Sequence, residues 1–130
     1  MHLGDEDLSI AEARRLLGSH RLIGATARSA AEGATRLAEG ADHLGVGPVF
    51  ASPTKPLAVP LLGLEGLRRI CQALPEIPVV AISGIDEDNI GSVAATGARA
   101  AAVIGAVGRA ADPLAAARLL SERFALGPSP

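Results

Sequence analysis

The stretch PVVAISGIDEDNIGSVAATGARAAAVI, Pro78–Ile104, decides the fold class. It opens on a short aliphatic run, Pro78–Ile82, and closes on another, Arg99–Ile104. Between them Asp86 stands as a helix N-cap after Ile85, and Gly97 sits where a C′ glycine ends a helix. A strand, a helix and a second strand form a crossover unit, which pairs its strands in parallel. Working back along the chain, Arg21–Thr26 and Asp42–Val46 read as two further strands. All four runs are nearly continuous in apolar residues, the pattern of strands buried on both faces of a parallel sheet.

The helices between them have readable ends. Ser29-Ala-Ala-Glu32 fits a capping box, and Asp112-Pro113 offers an N-cap followed by proline at the first helical position. Leu64–Leu74 reads as a helix stopped by Pro75, and Gly18 and Gly40 mark other helix ends. At the front, Ser9–Leu17 forms a helix with Ser9 as a weak cap. Met1-His2-Leu3-Gly4 before it reads as the last residues of a strand. The chain therefore predicts an α/β fold of four strand–helix units plus a strand stub and its helix. A doubly wound sheet and part of a (β/α)8 barrel both satisfy that pattern.

The 130 residues suffice for one domain, and 48% apolar against 20% charged residues excludes global disorder. A net charge of −2, without a run of like charge, argues against nucleic acid and anionic membrane surfaces as partners. Aromatic residues are 2% of the chain, with no Trp or Tyr, so base-stacking platforms are absent as well. Cys71 is the single cysteine, which rules out an internal disulfide or a cysteine-based zinc site and marks it as a small core residue. No uninterrupted apolar stretch reaches the ~18 residues of a membrane span. A cytoplasmic protein is the expectation.

Chemistry concentrates where strands end. The Gly/Pro-rich segment Gly47–Gly63 is a long loop after the second full strand, and loops of that length inside compact domains usually serve function. It holds Lys55, the only lysine beside eleven arginines, flanked by Ser52 and Thr54. Two hydroxyls and an ammonium make an oxyanion grip; the alternative is a solvated lysine. Ile82-Ser83-Gly84-Ile85 and Val103-Ile104-Gly105-Ala106 end two strands, as a backbone cradle for phosphate or as ordinary turn glycines. Asp5-Glu6-Asp7 either favours the following helix N-terminus or ligates Mg²⁺. Thr26 ends its strand as another polar candidate. His2, His20 and His43 are scattered and lack metal-ligand spacing.

Taken together, Gly45-Val-Gly-Pro-Val-Phe-Ala-Ser-Pro-Thr-Lys-Pro56, Gly63-Leu-Glu-Gly-Leu67, Pro78–Ile85 and Gly97–Ile104 resemble the C-terminal part of the thiamine phosphate synthase family. His2-Leu-Gly-Asp-Glu-Asp-Leu8 is similar to that family's metal-binding strand end. The resemblance spans residues 1–125, with 126–130 expected as a disordered tail. It implies a (β/α)8 barrel that joins hydroxymethylpyrimidine diphosphate to a thiazole phosphate, releases diphosphate and uses Mg²⁺. Carried over by motif, Asp7 matches a magnesium ligand. Thr26 and Lys55 match residues that bind the pyrimidine diphosphate and carry catalysis. Ser52, Pro53, Thr54, Gly84, Ile104 and Gly105 match the thiazole phosphate site.

The chain departs from the family in several places. Gly105 replaces the usual Ser, Ser83 replaces a Gly, and Ala51-Ser52 replace Pro-Thr. Asp5 stands where Gln is usual and is expected to add charge beside the diphosphate. A (β/α)8 barrel needs at least about 200 residues, so at least ~70 are expected to be missing ahead of Met1, with most of the pyrimidine site. Met1 stands where the family often has Val, which fits either a misplaced start or a true truncation. The expectation is an incomplete barrel, inactive in coupling alone, that self-associates or pairs with an N-terminal half. The rival readings are a related thiazole tautomerase, whose branch tends to carry His where Pro48 stands, and an aldolase using Lys55 as a Schiff base. A non-catalytic phosphate-binding or barrel-completing subunit is the rival from another class.

Overall fold

The computed structural model describes residues 1–52 and 59–127. Strands and helices alternate in the order β1 (His2–Leu3), α1 (Ile10–Leu17), β2 (Gly24–Ala27), α2 (Ala30–Ala38), β3 (His43–Val46) and α3 (Gly63–Ala73). They continue as β4 (Val79–Ile82), α4 (Ile90–Ala94), β5 (Ala100–Ala102), α5 (Gly105–Gly108) and α6 (Pro113–Leu126). The end of α6 takes in the first residue of the expected tail, and 128–130 lie outside the described residues.

The helix starts follow local hydrogen bonding, with three differences from the sequence reading. Ser9 is no weak cap. Its hydroxyl accepts the Glu12 N–H at 3.2 Å while the Glu12 carboxylate accepts the Ser9 N–H at 3.0 Å, a complete capping box. At Ser29 only half of the box forms, because the Glu32 carboxylate reaches past Ser29 to the Arg28 N–H at 2.7 Å. Asp86 accepts the N–H groups of Asp88 and Asn89, but it caps a turn. The regular helix starts only at Ile90, since Asn89 is held by its own side chain to Gly84 and Asp86. Asp112 caps α6 through the Ala115 N–H at 2.9 Å, with Pro113 at the first helical position.

All five strands are parallel, and their order in the sheet is their order in the chain. A doubly wound sheet must reverse its strand order at a switch point, and among the described residues there is none. Crossovers of one hand then place every helix on the same face. The five strands are an open arc of a (β/α)8 barrel, an incomplete barrel as expected.

The convex face carries the core. Leu44, Val46, Val79 and Ala81 pack with Leu67, Ile70, Cys71, Val93 and Leu120 from the helices, and a smaller cluster joins Leu3, Ile10, Ala13, Ile23 and Ala25. Cys71 is buried there, and burial pushes its thiol pKa up. The concave face differs from the expectation of strands buried on both sides. Val80, Ile82 and Ala100 are half-buried and Ala102 is exposed. An arc of five strands has no opposite wall to cover its inner face, so continuous apolar sequence does not here mean burial on both sides.

At the N-terminal end of the sheet, Arg14 ties α1 to the strands. Its guanidinium donates to the carbonyls of Gly18, Arg21 and Gly40 and to Asp42 Oδ2 at 2.7 Å, and that same oxygen accepts the Ile23 N–H at 2.7 Å. These donors hold the Asp42 carboxyl below the usual carboxylate range, the Ile23 N–H first and Arg14 second. A depressed carboxylate stabilises the fold above its unfolded pKa and loses that contribution as pH falls through its folded pKa. Asp42→Ala is therefore expected to cost about 1–2 kcal/mol at neutral pH. Denaturant titrations should show that difference shrinking toward zero in acid.

Candidate active site

The C-terminal ends of the strands open onto a cavity of about 990 Å³. Six residues singled out in the sequence line it: Asp7, Thr26, Ser52, Gly84, Ile104 and Gly105. They come from five separate stretches of chain, each delivered to the same rim by a parallel strand. Pro53, Thr54 and Lys55 lie outside the described residues.

Asp7 sits in the turn after β1, where its Oδ2 accepts the Gly4 N–H at 2.6 Å. That bond fixes the orientation of the carboxylate. Mg²⁺ typically takes one or two carboxylates and fills the rest of its shell with water and phosphate oxygens, and Asp7 fits as one such ligand. Among the described residues no group of three or more His, Cys, Asp or Glu could hold a metal, so a cage built from protein alone is absent there. Asp5 does not add uncompensated charge. Its carboxylate is bridged by Arg28, just before α2, at 2.6 Å and by Arg36, in the last turn of α2, at 3.0 Å. Arg28 itself lines the cavity.

Thr26 faces the concave side, and its Oγ1 lies 3.1 Å from His2 Nε2. The histidines that looked scattered are partly assembled by register. His2, Gly24 and His43 occupy one row across β1, β2 and β3, and the two imidazole centroids are 6.2 Å apart. A Cβ at Gly24 would collide with both rings, and one at Gly45 would collide with His2. The glycines at alternate positions of β2 and β3 were the signal in the sequence for this shelf. Burial lowers the His2 pKa, helped by repulsion from His43 and the amino terminus against a smaller opposing pull from Asp7.

The long loop leaves β3 through a cis Gly47–Pro48 bond and is pinned at both stems. Val49 and Phe50 donate their N–H groups to the carbonyls of Ile82 and Ser83, and Leu62 donates to Pro48. Gly84 has φ +66° and lies so close under the loop that a Cβ would collide with the Ala51 carbonyl. Ser83, in a position the resemblance assigns to glycine, takes φ +79°, a left-handed conformation that costs a non-glycine residue roughly 1 kcal/mol. Its hydroxyl offsets that strain by donating to the Phe50 carbonyl at 3.0 Å. Ile104 is exposed and Gly105 half-buried at the start of α5, which is only four residues long.

Comparison with known proteins follows these positions. The sequence matches the thiamine monophosphate synthase family over residues 1–107. The chain belongs to that family. It is 54% identical to the thiamine-phosphate synthase of Anaeromyxobacter dehalogenans over 127 residues, covering 98% of this chain and 57% of that protein. It is 47% identical to the Chloroflexus aurantiacus thiamine-phosphate synthase over 92% of this chain and 55% of that one. A solved thiamine phosphate pyrophosphorylase from Pyrococcus furiosus superposes with a TM-score of 0.85 at 38% identity, covering 96% of this chain and 58% of that one. A 3-hexulose-6-phosphate synthase at 22% identity and TM-score 0.68 shares the fold alone. The chain thus spans a little over half the length of these three family proteins. No helix among the described residues is long and apolar enough to cross a membrane.

Two measurements check the local chemistry. Thermal unfolding should rank Ser83→Gly above Ser83→Ala by about 1 kcal/mol or more, because alanine keeps the strain and loses the hydrogen bond. In an NMR titration His2 should protonate below the ordinary imidazole range, and His43→Gln should move its midpoint part of the way back up.

Proposed function

We propose that this chain carries the thiazole phosphate subsite and part of the diphosphate subsite of a thiamine phosphate synthase. The reaction would join hydroxymethylpyrimidine diphosphate to a thiazole phosphate and release diphosphate. The observation that supports this reading best is the gathering of Asp7, Thr26, Ser52, Gly84, Ile104 and Gly105 around one cavity at the strand C-termini. The family membership and the synthase names of its relatives support it further.

In this reading each group has a role that suits its chemistry. The Gly84 backbone, freed from a Cβ, lets the loop close down on the rim of the cavity, and the Ser52 hydroxyl on that loop would donate to a phosphate. Departure of diphosphate leaves a pyrimidine-derived cation, which the thiazole nitrogen captures; the bond to the diphosphate oxygen breaks with its electron pair. Thr26 would hold the diphosphate end from the floor of the cavity, with His2 orienting its hydroxyl. Lys55 would neutralise charge as it develops on the leaving group. Mg²⁺, when bound, would supply further neutralisation of that charge, and Asp7 is the residue that would hold it.

The 130-residue chain alone is expected to bind thiazole phosphate weakly and to catalyse no coupling. Calorimetry with thiazole phosphate, and chromatography of reactions containing both substrates and Mg²⁺, measure the two halves of that statement. Formation of thiamine phosphate would contradict the expected inactivity, and absence of thiazole phosphate binding would remove the function itself.

A further inference from the structure

Arg109 follows α5 directly, and its guanidinium folds back over Gly105. A Cβ built on Gly105 would collide with Nη2, Cζ and Nη1 of Arg109. A side chain at position 105 and this placement of the guanidinium therefore exclude each other. Both residues line the cavity, on the same rim as Ser52, Ser83 and Gly84. Position 105 is also where the resemblance leads one to expect a serine hydroxyl. The guanidinium thus stands where the Cβ of such a serine would begin.

We propose that Arg109 is a phosphate ligand of this cavity, reaching over Gly105 to take the position a hydroxyl side chain at 105 would hold. The chemistry favours it. A guanidinium stays charged across the whole working pH range and presents two parallel N–H donors that match two phosphate oxygens. It stands at the exposed edge of the cavity, so it can pair with an anion without being fully desolvated. Ser52 and the Gly84 backbone would meet the phosphate from the loop side while Arg109 closes the other side. The assignment rests on the proposed thiazole phosphate subsite and adds a ligand to it that family motifs do not supply.

The test compares four proteins, the 130-residue chain and its Arg109→Ala, Gly105→Ser and double variants, by calorimetry. Three probes are used: thiazole phosphate, the corresponding dephosphorylated thiazole alcohol, and inorganic phosphate. Unfolding temperatures of all four are measured alongside, so that a loss of fold is told apart from a loss of binding. Arg109→Ala is expected to weaken thiazole phosphate about ten-fold or more and to leave the alcohol unchanged, because a charge-assisted pair is lost. Gly105→Ser should also weaken it, by displacing the guanidinium. The double variant should then lose less than the product of the two single losses, since its serine hydroxyl replaces part of the missing contact. Equal thiazole phosphate affinity in the chain and Arg109→Ala would overturn the Arg109 assignment and leave the proposed function standing. Failure of the chain to bind thiazole phosphate would overturn the function. In that case inorganic phosphate binding that disappears in Arg109→Ala still supports Arg109 as an anion ligand, and its absence in the chain removes that role too.

Discussion

Every strand in this chain points the same way, and each returns through a helix on the same face of the sheet. The rest of the structure depends on that constraint. Parallel neighbours require crossovers, crossovers of one hand require a single helical layer, and a single layer bends the sheet into an arc. All strand C-termini then meet at one rim. Residues as distant in sequence as Asp7 and Gly105 become neighbours of one cavity without any of them touching in the linear chain.

The two ends of the arc do different work. At the N-terminal end, Arg14 and Asp42 gather carbonyls and an N–H from two connections and hold α1 against β2 and β3. At the C-terminal end the backbone is bent into less comfortable states. Ser83 has a positive φ, Gly84 passes under a carbonyl, and two glycines leave room for imidazoles on the inner face. The missing side chains there are replaced by imidazole rings and a loop carbonyl, and the packed convex core supplies the stability that tolerates the strain.

Much of the fold was legible because it is written in local signals. Asp112-Pro113, the glycine and proline stops and the aliphatic runs each report on a few neighbouring residues. The misreadings are also local. Glu32 has two backbone N–H groups within reach and chose Arg28, and Asn89 delays α4 by bonding to Gly84 and Asp86. The candidate site was legible only where a motif marked it. Arg28 and Arg36 around Asp5, His2 against Thr26, and Arg109 over Gly105 carry no motif, since their partners lie up to 31 residues away or depend on side-chain direction.

By itself the sequence determined the alternation of strands and helices, the parallel pairing, the family, and which short segments bear polar groups at strand ends. The alternation and the pairing follow from periodicity and capping, which act over one or two turns of chain, and the family from the resemblance of its motifs. The periodicity left open an arc of a barrel or a doubly wound sheet, the family resemblance pointed to the barrel, and the tertiary structure shows the strands in chain order in an open arc. It alone decided which charges neutralise one another and which side chains occupy the space that glycine leaves. These depend on register between strands and on the direction of side chains across them, and pairing over tens of residues leaves no periodic trace in a sequence.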